Sequence, residues 1–420
     1  MDSILSFWHN CIRLGFRRPQ EKKGIRMTRF QTSALLVATI AGLTLSSPGR
    51  AEVTADEIGK RLSNLIERQS FKLTWDSIDG SAGDFVMRGV RSAATQGGAA
   101  TVLGDLPLHN VTEIDGGDYR IGEVEFPVLM INREGVNITM SDVVLEGVLL
   151  TGANSTDPMA GIMFSERGRM GEVTATKRAD VAFRLTNLNY AAQRSNGGWD
   201  NTYSASAERF SSDLSMAKDP QVLTALTALQ LLQINGRMEM RGSMSLKSGR
   251  SRIDQFDITF DNQGKIGMTA DIGGYTREFY DALSQIQQST LNATPEQAQA
   301  QGLAMFGLMQ QLTLSGASLR YDDASFAMRA LEMAAATQNA RAADLPGTAQ
   351  MLLPMMLGQY LPADMVQQVT TEVVKFLGDP RNIEIRLSPA QPVPMMSLAG
   401  AAADPKAVAA TLGLTVKANQ

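Results

Sequence analysis

Beyond residue 51 the chain has no cysteine and a single histidine, His109; Cys11 and His9 both precede that point. Thiol nucleophiles, disulfides, haem attachment and thiolate metal sites are thereby excluded from the downstream chain, and paired-histidine zinc sites go with them. A histidine-based hydrolase would have to use His109, which lies in Pro107-Leu108-His109-Asn110-Val111, a turn-like stretch, with no Gly-x-Ser-x-Gly elbow to serve it. An exposed loop histidine is the reading. No glycine loop is followed by the Lys-Ser/Thr pair of a phosphate cradle. No cofactor site is recognisable.

Positive charge is also scarce. Residues 1–51 hold 8 of the 39 Lys and Arg but only 2 of the 43 Asp and Glu, leaving 31 basic and 41 acidic residues downstream. Nucleic acid needs a concentrated basic surface, and electrostatic docking on anionic lipid needs the same, so neither is expected.

What is present begins with an export signal. Arg29 gives a short basic start, Ser33–Leu45 form an uncharged and mostly apolar run, and Gly49 and Ala51 supply small residues for cleavage after Ala51. The run is shorter than the roughly 20 apolar residues a membrane-spanning helix requires. We therefore expect residues 1–26 to be an upstream extension and 27–51 a cleaved signal peptide. The expected product is a periplasmic or envelope-associated protein with no integral span after cleavage. With 44% hydrophobic residues it has material for a sizeable core. Without disulfides in an oxidising compartment, burial must hold that core. The 23 methionines supply soft apolar contact and an oxidation hazard.

The pattern along the chain predicts an α+β fold, a long curved antiparallel sheet of meanders packed with several helices. Thr54 and Glu57 form a capping box before Ile58, Leu62, Leu65 and Ile66 at helical spacing. From Phe71 to Leu188 short alternating runs follow, among them Val124-Phe126-Val128-Met130 and Val181-Phe183-Leu185. Residues 192–218, polar and carrying Asn196-Gly197-Gly198, read as a loop or ragged hairpin, and Gln221–Ile234 as a helix. Three alternating sets over 235–273 are joined by Lys247-Ser248-Gly249-Arg250 and Asp261-Asn262-Gln263-Gly264, which predicts a three-stranded meander. Helices are expected at Thr276–Gln301, Ala324–Gln338 and Asp364–Leu377, with a strand at Leu312–Tyr321. We divide the chain into a mainly antiparallel β region, 52–218, and an α+β region, 219–420.

Candidate chemistry is thin. Asp115 with Asp118, or Glu123 with Glu125, could supply the two carboxylates of a glycan hydrolase. Acids alternating with Val124 and Phe126 read more simply as a solvated strand face. Asp261-Asn262-Gln263-Gly264 lacks the spacing and closing Glu of a calcium loop and reads as a hairpin turn; Asp322-Asp323 reads as a helix cap. Two apolar runs stand out, with Met305, Phe306 and Met309 in the first and Met351, Met355 and Met356 in the second. Flexible methionines can line a lipid-accepting groove, and helices of this composition also pack beneath sheets.

The segments 376–385 (FLGDPRNIEI) and 387–394 (LSPAQPVP), the strand-to-helix passage Leu319–Ala330 and the closing 412–419 (LGLTVKAN) resemble exported alphaproteobacterial proteins of unknown function. More loosely they are similar to AsmA-like and YdgA-like envelope proteins. The resemblance covers the last quarter of the chain. It implies an exported protein with long antiparallel sheets and a role in envelope or lipid homeostasis, and it assigns no catalytic residue. The expected function is non-enzymatic: binding of an apolar, lipid-like ligand or of an envelope protein partner. A carboxylate-dependent periplasmic glycan hydrolase and a purely structural interaction protein are the alternatives.

Overall fold

The computed structural model describes residues 53–69, 71–94, 100–133, 135–177, 180–290, 295–402 and 404–420. The expected extension and signal peptide, residues 1–51 with His9 and Cys11, lie outside the described residues. The fold is α+β: strands alternating in antiparallel hairpins, with helices inserted late in the chain. The chain folds as two compact units.

Among the described residues, the first unit comprises those up to Ile131 with Asp142–Ser155 and Gly161–Gly168. Helix α1 (Ala55–Glu67) starts as the capping box requires, the Glu57 amide donating to Thr54 Oγ1 at 3.4 Å. It buries Ile58, Leu62, Leu65 and Ile66. Strands β1 (Phe71–Thr74), β2 (Ser77–Ser81), β3 (Asp84–Ala94), β4 (Thr101–His109), β5 (Thr112–Glu113), β6 (Tyr119–Phe126) and β7 (Leu129–Arg133) follow. After β8 (Val136–Ser141), which belongs to the second unit, comes β9 (Val143–Leu150). The antiparallel pairs are β1–β3, β2–β3, β3–β4, β4–β6, β5–β6 and β6–β9. In β9 seven of eight residues are buried, so apolar side chains fill both of its faces and the alternation seen elsewhere is lost. Asp118, one of the nominated catalytic acids, is 4% exposed and structural: it accepts from the Gly152 amide at 2.8 Å and from Ser155 Oγ at 2.5 Å, pinning the loop after β9.

The second unit carries β10 (Arg167–Lys177), paired with β8, and then β11 (Asp180–Ser195), β12 (Asp200–Asp213), α2 (Pro220–Ala228), β13 (Gln233–Ser245), β14 (Arg250–Phe260) and β15 (Gly264–Gly273). Helices α3 (Arg277–Thr290) and α4 (Pro295–Met309) lead to β16 (Thr313–Asp323). Helices α5 (Phe326–Thr337), α6 (Leu345–Leu357) and α7 (Ala363–Gly378) precede β17 (Asn382–Leu387) and β18 (Val393–Pro394), and α8 (Pro405–Thr411) and β19 (Leu414–Ala418) close the chain. Strands β11 through β17 pair in sequence, and β19 completes the antiparallel series on β17.

The expected meander is present, extended by a long, regular strand pair that takes in the 181–185 run and most of the stretch expected as a loop or ragged hairpin. Residues 180–195 and 200–213 form the hairpin β11–β12, with Asn196–Gly198 as its turn. The expected helix over 221–234 ends at Ala228, because Gln230 takes a left-handed φ of 57° and the chain turns into β13. The expected helix 276–301 is two helices, α3 and α4. Asp323 caps α5 from two residues before its N-cap Ser325, accepting the Ala327 and Ser325 amides, each at 2.8 Å.

Register sorts this sheet into two chemical faces. One transverse row runs Leu188, Ala207, Met238, Ile258, Ile266, Tyr321, Ile383, Ala418; the next on the same face runs Tyr190, Ala205, Met240, Phe256, Met268, Leu319, Ile385, Val416. Between them, pointing the other way, lies Asn189, Ser206, Glu239, Asp257, Gly267, Arg320, Glu384, Lys417. Period-two alternation kept in register over eight strands gives one apolar and one polar face.

On the polar face Arg250 Nε donates to Asp271 Oδ1 at 2.9 Å. That hydrogen bond holds the Asp271 carboxyl below its ordinary value despite partial burial. A depressed folded value contributes stability above the unfolded value of about 3.9, lost as pH falls through the folded value. Asp271→Asn should therefore lower the urea midpoint at pH 7, and its deficit against wild type should shrink below about pH 4. A deficit constant from pH 7 to pH 3 would assign the loss to packing instead.

Candidate functional site

The apolar face of the second unit is only partly covered. At one end Phe376 of α7 stacks edge-on against Tyr321, ring centroids 6.4 Å apart. At the start of β16, α3 and α4 close a cluster of Phe279, Leu308 and Leu312 with Tyr275, Leu283 and Met395 around it. Between these supports Leu319 is 48% exposed, and its neighbours in the row, Ile385 and Met268, are 43% and 36% exposed. Toward the far end of the row burial resumes: Phe256 is 9% exposed, and desolvation pushes the Tyr190 hydroxyl up to about 12.

The methionine-rich runs divide between two helix pairs. On α4, which packs with α3, Met309 joins the Phe279 cluster, Met305 is half-buried and Phe306 is exposed. On α6, which packs with α7, Met351, Met355 and Met356 are 77%, 73% and 57% exposed. The α6 methionines stay exposed although their helix packs with α7. The uncovered row of Met268, Leu319 and Ile385 was not among the residues singled out from sequence. Its signal was the alternation itself, which does not say where the helices stop.

A second concavity, about 650 Å³, opens in the first unit and gathers charge. His109 is the last residue of β4, and its Nδ1 lies 3.2 Å from Asp84 Oδ1, an oxygen that also accepts the Asn110 amide at 3.0 Å. It is a strand-end histidine with a carboxylate partner, not a free loop residue. Arg120 grips Glu166 with two donors, Nε at 2.8 Å from Oε1, and Arg167 Nε reaches Glu146 Oε2 at 2.7 Å. A side chain at Gly147 would sit 2.3 Å from the Glu166 carboxyl, so a residue without one, at φ 66°, is needed there. Glu123 lies directly between His109 on β4 and Glu146 on β9 in the cross-strand register. Opposed like charges on adjacent strands are unfavourable, and Arg167 neutralises the Glu146 side of the pair. Glu125, the other nominated acid of this strand, is exposed.

Among the described residues no group of three or more His, Cys, Asp or Glu is placed to hold a metal. Nor is any helix among them long and apolar enough to cross a membrane. Residues 257–419 match the model of a family described as an uncharacterized protein. That description carries no activity. No curated protein matches the chain. The matched stretch begins within β14 and takes in β15–β19 with α3–α8, so it includes the uncovered row and lies outside the charged concavity.

Proposed function

We propose that the chain is a non-enzymatic, exported protein of the cell envelope that binds an apolar, lipid-like ligand against the open part of its C-terminal sheet. The observation that carries this reading is the row Met268, Leu319, Ile385, three large apolar side chains aligned on adjacent strands and left 36–48% exposed between two helical supports. Burying such side chains fully is worth roughly 1.5–3 kcal/mol each, so covering the exposed part of three contributes roughly 2–4 kcal/mol. Micromolar affinity requires about 8 kcal/mol. The ligand must then extend along the sheet onto half-buried neighbours such as Ile266 and Ile383. A flexible acyl chain meets that demand, since it can follow a long narrow strip. The export signal at 27–51 and the likeness to AsmA-like envelope proteins support the same compartment and ligand class.

The test uses delipidated full-length protein with a fluorescent fatty acid and with phospholipid, followed by native mass spectrometry. Saturable uptake is expected. Failure to take up either probe removes the reading.

One observation favours a second reading, a carboxylate-dependent glycan hydrolase in the first unit. Directly opposed residues have Cβ atoms about 4.5–5.5 Å apart, and Glu123 and Glu146 stand opposed in a concavity. A retaining mechanism needs carboxyls about 5–5.5 Å apart. Glu146, paired with Arg167, would be the nucleophile, leaving Glu123 as acid and base. Among the described residues no Phe, Tyr or Trp lines the concavity to stack on a sugar, which makes this the lesser reading. If it holds, Glu123→Gln lowers release from an aryl glycoside by about 10²–10⁴-fold; a wild-type protein inert on periplasmic glycan and aryl glycosides ends it.

A further inference from the structure

Thiolates are the sulfur groups an oxidant consumes most readily, and no cysteine follows residue 51. The oxidisable sulfur of the described residues is therefore all thioether, and access decides which methionine reacts. Met87, Met140, Met159 and Met238 are buried, and an oxidant reaches them only when the structure around them opens. On α6 more than half of the surface of Met351, Met355 and Met356 is open. Met130 of β7 is comparably open and should oxidise as well, but α6 gathers three such side chains within six residues.

The period of the helix explains why they stay open. Leu345 is buried, and Ala349, Leu353 and Leu357, each four residues on, are half-buried. A four-residue step turns about 40° around a helix, so this stripe is centred roughly opposite Met351 and Met355, which lie one turn apart. The packing of α6 with α7 therefore asks nothing of those two thioethers. No charged residue lies between Leu345 and Ala363, so the polarity of this surface is set by its neutral side chains alone.

We infer that Met351, Met355 and Met356 form a reversible sulfoxidation site, its oxidising co-substrate a hydroperoxide or hypohalous acid, that turns the open face of α6 from apolar to polar without unfolding the protein. With hydrogen peroxide, a sulfur lone pair attacks one peroxide oxygen and the O–O bond breaks. An S–O bond forms, and the departing hydroxide takes up the remaining proton and leaves as water. Sulfur loses two electrons and the peroxide gains them. A methionine sulfoxide reductase returns the thioether by oxidising two thiols to a disulfide, with the oxygen leaving as water. A sulfoxide at an exposed position stays hydrated, so the core need not accommodate it. The site is independent of the ligand reading, which places an acyl chain on the sheet.

The test follows folded full-length protein through a time course in hydrogen peroxide, with oxygen uptake mapped by peptide mass spectrometry. Met351, Met355 and Met356 are expected to gain one oxygen each at least about tenfold faster than Met87, Met140, Met159 and Met238, whose reaction waits on opening. The oxidised protein should keep its far-ultraviolet dichroism and its urea midpoint, and should bind less of the hydrophobic dye anilinonaphthalene sulfonate. Methionine sulfoxide reductases A and B, one for each sulfoxide epimer, should restore both mass and dye binding with dithiothreitol. The triple variant Met351→Leu, Met355→Leu, Met356→Leu keeps helix propensity and apolar volume, and its dye binding should no longer respond to peroxide. The inference is overturned if the three oxidise no faster than the buried four, or if their oxidation unfolds the protein. It is equally overturned if the reductases leave the oxygen in place, or if peroxide lowers dye binding in the triple variant as much as in wild type.

Discussion

Phe210→Ala is expected to destabilise the second unit by about 3–5 kcal/mol, the cost of emptying a fully buried aromatic site. Phe210 has no exposed surface and is among the largest wholly buried side chains. It lies where β12 shifts register against β13, opposite Gly236. A Cβ at 236 would come within 2.6 Å of the Phe210 ring and 2.0 Å of the Thr259 carbonyl oxygen. The ring therefore fills the space a missing side chain leaves, and Phe260 meets it edge-on at 5.7 Å. Little around it can collapse inward, because Gly236 has no side chain to offer and the strands on either side are fixed by their ladders. Domains are stable by only about 5–15 kcal/mol, so the variant should unfold at a much lower urea midpoint by far-ultraviolet dichroism. Gly236→Ala should be comparably severe for the opposite reason, an added atom facing a backbone oxygen that cannot move without breaking the β13–β14 pairing. A loss below about 1 kcal/mol for Phe210→Ala would mean that the bulge relaxes and that the register shift is not held by this ring.

Much of the second unit was legible because its alternation is carried by large side chains. Met238, Met240, Phe256, Ile258, Ile266 and Met268 mark strands β13–β15 without ambiguity, and Asp261 to Gly264 supply the turn. Strands β11 and β12 have the same geometry, but their apolar face is written with Ala192, Ala205 and Ala207, and their other face with serines and asparagines. Small residues bury well at the middle of a sheet without announcing themselves as apolar, and so residues 192–218 read as a loop or ragged hairpin. The helix α6 misled differently. Its composition suggests burial, yet tertiary context leaves it with one packed side, and no local pattern records which partners a helix will lack. The charged concavity is beyond sequence reading for a third reason. Asp84, His109, Glu123 and Glu146 are brought together by the pairing of β3, β4, β6 and β9, and Glu166 joins them through its amide's bonds to the Glu146 and Gly147 carbonyls. Pairing partners across a sheet leave no periodicity in the chain.

Leu319→Glu is expected to weaken binding of a fluorescent fatty acid by at least tenfold while leaving the fold in place. In the free protein the side chain is 48% exposed, so a carboxylate there stays hydrated, and the stability cost should remain within about 1 kcal/mol, as for other surface changes. In the complex the same carboxylate must be covered by an acyl chain that offers it neither a hydrogen bond nor a counter-charge. Leaving a buried polar group unpaired costs about 1–3 kcal/mol, more when it is charged, and each 1.4 kcal/mol is a factor of ten in affinity. The effect on binding therefore outweighs the effect on folding, which is what separates a ligand surface from a core position. Met355→Glu on α6 supplies the contrast. Its side chain is 73% exposed, and it belongs to the α6–α7 helix pair. A tenfold loss at Leu319 with little change at Met355 locates the ligand on the sheet. Loss at Met355 alone moves the site to the outer helix, and a fatty acid bound equally well by both variants removes the apolar face from the function altogether.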